Sequence, residues 1–304
     1  MKIIFCEDTL RSGQVDEVYQ READAASALN LHYTIVNFEA LVNDNDPIQA
    51  VRQVATENTL ALGIYRGWML SPYQYAKLYT ALDEKGIRLI NDPSAYQHCH
   101  YLPDSYSIIE PYTPKSVWLP VSGNVQMDEI MNLLNPLGSR PVIVKDYVKS
   151  QKHYWHEACF IPSAEDKKAV EGVVQRFLEL QSDTLNEGLV FREFIEFEPL
   201  TTHSKSKMPL SKEFRVFVLD GEPLYLAEYW EEGDYQELLP QLEAFREVMR
   251  KVKSRFYTMD IAKQKNGGWL IVELGDAQVS GLPDRADVHT FYKMLNEKLT
   301  AKHS

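Results

Sequence analysis

At 304 residues the chain is long enough for two domains, because a single hydrophobic core rarely grows much past ~250–300 residues. Its 44% hydrophobic and 25% charged residues are ordinary for a soluble enzyme, while a net charge of −12 argues against a nucleic-acid partner, which would need a concentrated positive surface. Three widely spaced cysteines (Cys6, Cys99, Cys159) indicate neither a disulfide framework nor a zinc site, and the apolar run at 3–6 is too short for a signal peptide or membrane span, so a cytoplasmic protein without a membrane partner is expected.

In chain order, Lys2–Cys6 reads as a strand, and Val15, Val18, Tyr19, Ala26 and Leu29 then recur at helical spacing. Residues 33–38 return to strand, and 59–69 form a longer apolar run. Ser71-Pro72 marks a helix start with a capping hydroxyl and a first-turn proline; Tyr75, Leu78, Tyr79 and Leu82 form its stripe and Gly86 stops it. Residues 87–90 are another strand. This βαβα rhythm predicts a parallel sheet covered by helices.

From about 92 to 135 the pattern loosens into loops bearing Pro and Tyr, with a helix over 127–134, and a domain boundary is placed near residue 100. The expected units are an α/β domain at 1–100 and an α+β domain at 101–304. In the second, strands are expected at 141–149, 156–161, 188–196, 212–219, 222–230, 255–262 and 268–274, and helices at 163–181, 235–253 and 287–300. Asp220-Gly221 supplies a hairpin turn, and 201–212, polar and basic, reads as a mobile loop.

The chemistry lies on these strands. In 213–219 the two-residue period puts Glu213, Arg215 and Phe217 on one face, an arrangement that also suits a simple solvated pair. In 269–274 the same period puts Ile271 and Glu273 on one side; a carboxylate in so apolar a run is costly to bury unless paired or metal-bound. Asp260 and Asp276 add two more acids, with a cap and a turn role as their respective competitors. Three carboxylates on adjacent strands suit a hard cation such as Mg2+. Lys145, Arg192 and Arg215 are the matching cations for phosphate; each is weak evidence alone. No P-loop, dinucleotide fingerprint, GxSxG or HExxH motif is present, and His98 and His100 read as loop histidines. Arg66, after the 60–65 run, sits where parallel sheets place ligands and is a candidate carboxylate clamp, with a plain surface arginine as the alternative. The 278–285 loop, with Ser280 and Gly281, is a further candidate substrate contact.

In order and spacing, Val142-Ile-Val-Lys145-Asp-Tyr-Val-Lys149, Leu189-Val-Phe-Arg192-Glu-Phe-Ile195, Lys212-Glu-Phe-Arg215-Val-Phe-Val218, Met259-Asp260-Ile-Ala262 and Trp269-Leu-Ile-Val-Glu273-Leu-Gly-Asp276-Ala-Gln-Val-Ser-Gly281 together resemble the ATP-grasp superfamily. Within it they resemble the divergent clade of bacterial and phage domains related to a eukaryotic assembly factor for a translation initiation factor. The resemblance implies ATP and Mg2+ as cofactors. It implies that Lys145 and Arg192 contact phosphate or the adenine edge, that the backbone of Glu193, Phe194 and Ile195 reads the adenine, and that Glu198 holds the ribose. Arg215 would face the γ-phosphate and the acyl phosphate formed from it, and Asp260, Glu273 and Asp276 would hold one or two Mg2+ ions. Two departures stand out: Gly275 occupies the place of a usual asparagine, and the segment after Lys145 lacks glycines, which shifts phosphate contact towards Lys149 and Lys152. The implied activity is ADP-forming ligation of a small-molecule or peptide carboxylate to an amine. The alternative is an ATP-binding assembly or modifying factor acting on a protein.

Overall fold

The computed structural model describes residues 1–301 apart from 124, 203, 205–208 and 237. The first part is the expected α/β layer. Strands β1 (Lys2–Cys6), β2 (Tyr33–Val36), β3 (Ala61–Arg66) and β4 (Ile87–Leu89) form a parallel sheet in the order β2-β1-β3-β4. Its central strands are buried on both faces, which is why they read as unbroken apolar runs rather than as alternations. The helix Pro72–Glu84 starts in a complete capping box: Ser71 Oγ accepts from the Gln74 N–H while the Gln74 side chain accepts from the Ser71 N–H. Gly86, at φ +76°, ends it in the left-handed region.

The segment expected as loops from 92 onward is instead two consecutive helices, Pro93–His100 and Leu102–Ile109. Both carry proline in the first turn, where a missing N–H costs nothing, so the prolines that suggested loops are helix starts. His98 and His100 accordingly lie in a helix and are buried.

Two antiparallel four-stranded sheets follow. The first joins β5 (Ser116–Pro120), β6 (Val142–Asp146), β7 (Phe160–Ile161) and β8 (Gly188–Glu193) in the order β5-β8-β6-β7, backed by helices Met127–Leu134 and Lys167–Gln181. The strand expected over 156–161 is mostly a helical turn, Trp155–Ala158, that folds Trp155 back to stack on Phe160 at 5.4 Å. A hairpin of β9 (Pro199–Thr202) and β10 (Pro209–Ser211) occupies the stretch expected as a mobile loop, whose residues 203 and 205–208 lie outside the described ones.

The second antiparallel sheet joins β11 (Glu213–Leu219), β12 (Glu222–Glu228), β13 (Phe256–Lys263) and β14 (Trp269–Asp276) in the order β12-β11-β13-β14. Asp220 and Gly221, at φ +51° and +77°, make the tight turn between β11 and β12. The helix expected over 235–253 is cut to Arg246–Lys251 after a short 3-10 turn, since Pro240 cannot donate within a helix. The last helix, Val288–Thr300, packs Phe291, Tyr292 and Leu295 into a core that holds Ile3 and Phe5 of β1 together with Phe217 and Phe256 of the second antiparallel sheet. One continuous core therefore ties the first sheet to the last. No described helix is long and apolar enough to cross a membrane.

Candidate functional site

The two antiparallel sheets face each other across a cleft. In it lies a cavity of about 640 Å3 lined by Ile143, Lys145, Arg192, Glu213, Val272 and Glu273 among others, and a second of about 250 Å3 adjoins it at Lys145, Val148 and Glu273. The charged side chains of β11, β13 and β14 get there by strand register. Arg215 on β11 is directly paired with Asp260 on β13, and Asp260 with Glu273 on β14, so three charged residues stand in a row across three strands. A β-bulge between Asp260 and Ile261 leaves Val272 unpaired. The bulge breaks the strict alternation expected for β14, so Val272 and Glu273 both line the large cavity while Ile271 is buried in the apolar core.

Arg215 holds Asp260 in a two-pronged pair, Nε to Oδ1 at 2.9 Å and Nη2 to Oδ2 at 2.7 Å, while Nη1 donates to the Gly281 carbonyl at 2.9 Å. The ring of Tyr229 lies 4.7 Å from the guanidinium carbon. From the opposite sheet, Lys145 Nζ comes within 3.8 Å of Glu273 Oε2. Arg192 Nη2 donates to Thr113 Oγ1 at 2.6 Å and to the Ile271 carbonyl at 3.0 Å, which fastens β8 to β14.

The site is crowded with charge, and the charges perturb one another. Burial pulls Lys145 down, with Arg192 and Lys152 adding to the effect against Glu273, and burial pulls Arg192 down to about 10. Burial, reinforced by Asp260, pushes Glu213 up, and it also raises Asp260 in spite of Arg215. Glu273 goes the other way: burial opposes its charge, but Lys145, Lys152 and Arg215 together outweigh that and hold it below the usual carboxylate range. Such crowding of titratable groups in a cleft is what functional sites display.

The segment after Lys145 has no glycine because Asp146 does the work of shaping it. Its buried carboxylate accepts from the Val148 and Lys149 N–H groups at 2.7 and 2.5 Å and from Gln181 Nε2 and Asn186 Nδ2 at 3.0 and 2.7 Å. An Asx-type turn thus places Lys149, with Lys152, on the cavity wall. Glu193, Phe194 and Ile195 line the same cavity, and Phe194 packs edge-on against Trp155 and Phe160. The N–H of Glu193 donates to the Lys115 carbonyl and that of Phe194 to Pro141, so other backbone groups of this segment would have to read a base.

Two of the expected site residues, Arg66 and Glu198, are placed elsewhere, and a third, Asp276, is bound up in internal contacts. Arg66 is 1% exposed and lines neither cavity: Nε and Nη2 donate to Glu22 at 2.8 and 2.9 Å, and Nη1 donates to the carbonyls of Ala277 and Ser280. It is a buried brace that holds the 277–281 loop, not an open clamp. Asp276 borders the small cavity, and its oxygens accept from Asn91 Nδ2 at 2.6 Å and from the Gln278 N–H at 2.9 Å, so it also anchors the fold internally. Glu198 is neutralised by Lys212 and Lys263 at 2.7 and 2.8 Å, outside the cavity lining; Glu196, paired with Lys265, stands on the lining instead. A run with acids at 193, 196 and 198 offered no basis for choosing among them. Ser280 and Gly281 do line the small cavity, and Ser280 Oγ lies 2.8 Å from Thr258 Oγ1. His100 and Met69 line it too, and no motif announced either.

Among the described residues no three His, Cys, Asp or Glu side chains form a metal cage by themselves. The paired carboxylates Asp260 and Glu273 nevertheless fit a divalent cation whose remaining ligands are phosphate oxygens, since Mg2+ commonly takes only one or two carboxylates from the protein.

Two sheets gripping a charged cleft, behind a parallel α/β layer, define the ATP-grasp class. The chain belongs to it: the model of the ATP-grasp domain, R2K clade family 3, matches residues 136–295. Solved structures share the fold at low identity. D-alanine–D-alanine ligase from Bacillus anthracis, complexed with ATP, is 14% identical at a TM-score of 0.56, over 100% of this chain and 99% of that one. The RimK domain ATP-grasp protein from Sphaerobacter thermophilus is 12% identical at 0.55, over 92% of each chain. The ATP-grasp ligase PsnB, complexed with a minimal precursor, Mg and ADP, is 13% identical at 0.54, over 98% of each. No curated protein sequence matches the chain.

Proposed function

We propose that the protein is an ADP-forming carboxylate–amine ligase that uses Mg2+-ATP to make an acyl phosphate, which an amine then opens to an amide. The observation that carries this reading is the Arg215–Asp260–Glu273 row opposite Lys145, at the junction of a nucleotide-sized cavity and a smaller one. The large cavity would take ATP, with the 193–195 segment at the base and Lys145, Lys149 and Arg192 at the phosphates. Asp260 and Glu273 would hold Mg2+, which when bound screens the phosphate oxygens against the attacking carboxylate.

Arg215 is the residue assigned to the chemical step. It is pinned by Asp260 and the Gly281 carbonyl and borders the small cavity, where a carboxylate oxygen would attack the terminal phosphorus and ADP would depart. A guanidinium already held in place stabilises developing charge without reorganising during reaction. Lys145, on the wall common to both cavities, would follow the transferred phosphoryl group. The acceptor end, with Ser280 and Gly281, would receive the carboxylate of a small molecule or peptide.

Product analysis with a panel of carboxylates and amines tests the reading. Stoichiometric ADP and phosphate are expected; AMP with pyrophosphate would reject an acyl phosphate. Nucleotide held without turnover beside a stably bound protein would favour the assembly-factor alternative.

A further inference from the structure

Met69 is an apolar side chain that belongs to none of the four hydrophobic cores, is 47% exposed, and lines both cavities of the cleft. The segment that carries it is tied down on both sides. Arg66 is buried against Glu22, the Gly67 N–H donates to the Gln278 carbonyl, Tyr65 Oη donates to the Trp68 carbonyl at 2.9 Å, and Tyr96 Oη donates to the Leu70 carbonyl at 2.6 Å. Trp68 Nε1 donates to Asp16 at 2.9 Å, and Gly67 passes so close to Cys6 and Tyr65 that a Cβ would meet them at 2.4 and 2.5 Å. A rigid support that presents an unpacked thioether to a cavity is the arrangement of a ligand contact, because methionine adapts to apolar shapes at little cost.

The rest of the small cavity completes the pattern. Leu102, Val148, Leu274 and Val279 line it with Met69, while Arg215 and Lys145 supply its cations and Asp260, Glu273 and Asp276 its acids. Its volume of about 250 Å3 is below the ~300–1,000 Å3 of drug-sized sites. We infer that Met69 is a specificity-determining residue for the acylating substrate, and that this substrate is a carboxylate with a compact apolar body, seated with its charge towards Arg215 and its body against Met69. The inference rests on the ligase reading for the identity of that substrate and narrows its class.

The native cysteines are all buried, so Met69→Cys places an accessible thiol at the contact. Its alkylation by N-ethylmaleimide is followed with Mg2+ and a non-hydrolysable ATP analogue present throughout, against the wild-type chain as background. At ten times Kd a seated ligand slows labelling about tenfold. 4-Methylpentanoate and N-acetylleucine are expected to protect to that extent, and glycolate and N-acetylaspartate to leave the rate within about twofold. No protection by either apolar carboxylate, or equal protection by glycolate, overturns the inference. Hydroxylamine trapping on the wild-type enzyme separates the two readings. Protection without hydroxamate formation would sink the ligase chemistry and leave the contact standing, whereas hydroxamate formation without protection would do the reverse. Met69→Ala gives the kinetic counterpart: kcat/KM for the apolar carboxylate falls ~10-fold or more while that for glycolate stays within about twofold.

Discussion

Lys145 on one antiparallel sheet and Glu273 on the other approach to 3.8 Å, the place where the two jaws of the cleft share a charge. Burial disfavours the ammonium, while Lys145, Lys152, Arg215 and Arg192 together favour the charged form of Glu273. On the proposed function, phosphate oxygens would take the lysine while a divalent cation takes the carboxylate.

Replacing that lysine tests the proposed phosphate contact. Lys145→Met keeps the stem and removes the charge, and MgATP affinity is expected to fall at least tenfold, about 1.4 kcal/mol, by isothermal titration. An unchanged Kd would remove Lys145 from the nucleotide site.

Arg215 separates binding from chemistry. Arg215→Lys keeps a positive charge but loses the fork that grips both Asp260 oxygens. Turnover should drop ~100-fold or more with MgATP affinity changed only a few-fold, as expected for a group that acts mainly in the transition state. A parallel loss in both would make it a binding residue only.

Arg66 now predicts a stability effect. Arg66→Ala leaves Glu22 buried without its cation, which typically costs about 3–5 kcal/mol, so the thermal midpoint should fall by several degrees. The double variant with Glu22→Gln should recover part of it. A midpoint within one degree of wild type would contradict the brace.

Asp276 carries a pH signature. Burial, against the hydrogen bonds from Gln278 and Asn91, pushes it up to about 6 from the ordinary 3.8. Between those values the folded state binds more protons than the unfolded one. Its contribution is therefore fully present below about 3.8 and is lost as pH rises through about 6, roughly 3 kcal/mol in all. Urea titrations from pH 4 to 7 should show that decline in the nucleotide-free protein and a flatter profile in Asp276→Asn; identical slopes would place the proton elsewhere.

Much of this was readable beforehand, and the misses have physical causes. Alternation put Glu213 and Arg215 on one face of β11, and register then carried that row to Asp260 and Glu273. The same rule failed one residue from Glu273, where a bulge that depends on the partner strand re-aimed Val272. Prolines at 93 and 103 misled because a proline breaks a helix interior yet suits a helix start, and local sequence did not say which applied.

What the chain order alone determined is the set of elements and the identities of the charges they carry, because periodicity and turn chemistry are local. What only the folded molecule decided is which charges line the cleft and what each is paired with. Arg66, Asp276 and Glu198 have the composition of site residues, but partners from 22, 91 and 212 neutralise or bind them, while Met69 gained a place in the cleft from anchors at 16, 96 and 278. Burial and pairing are set by contacts distant in sequence, and the cost of an unpaired buried charge selects the residues that remain open for chemistry.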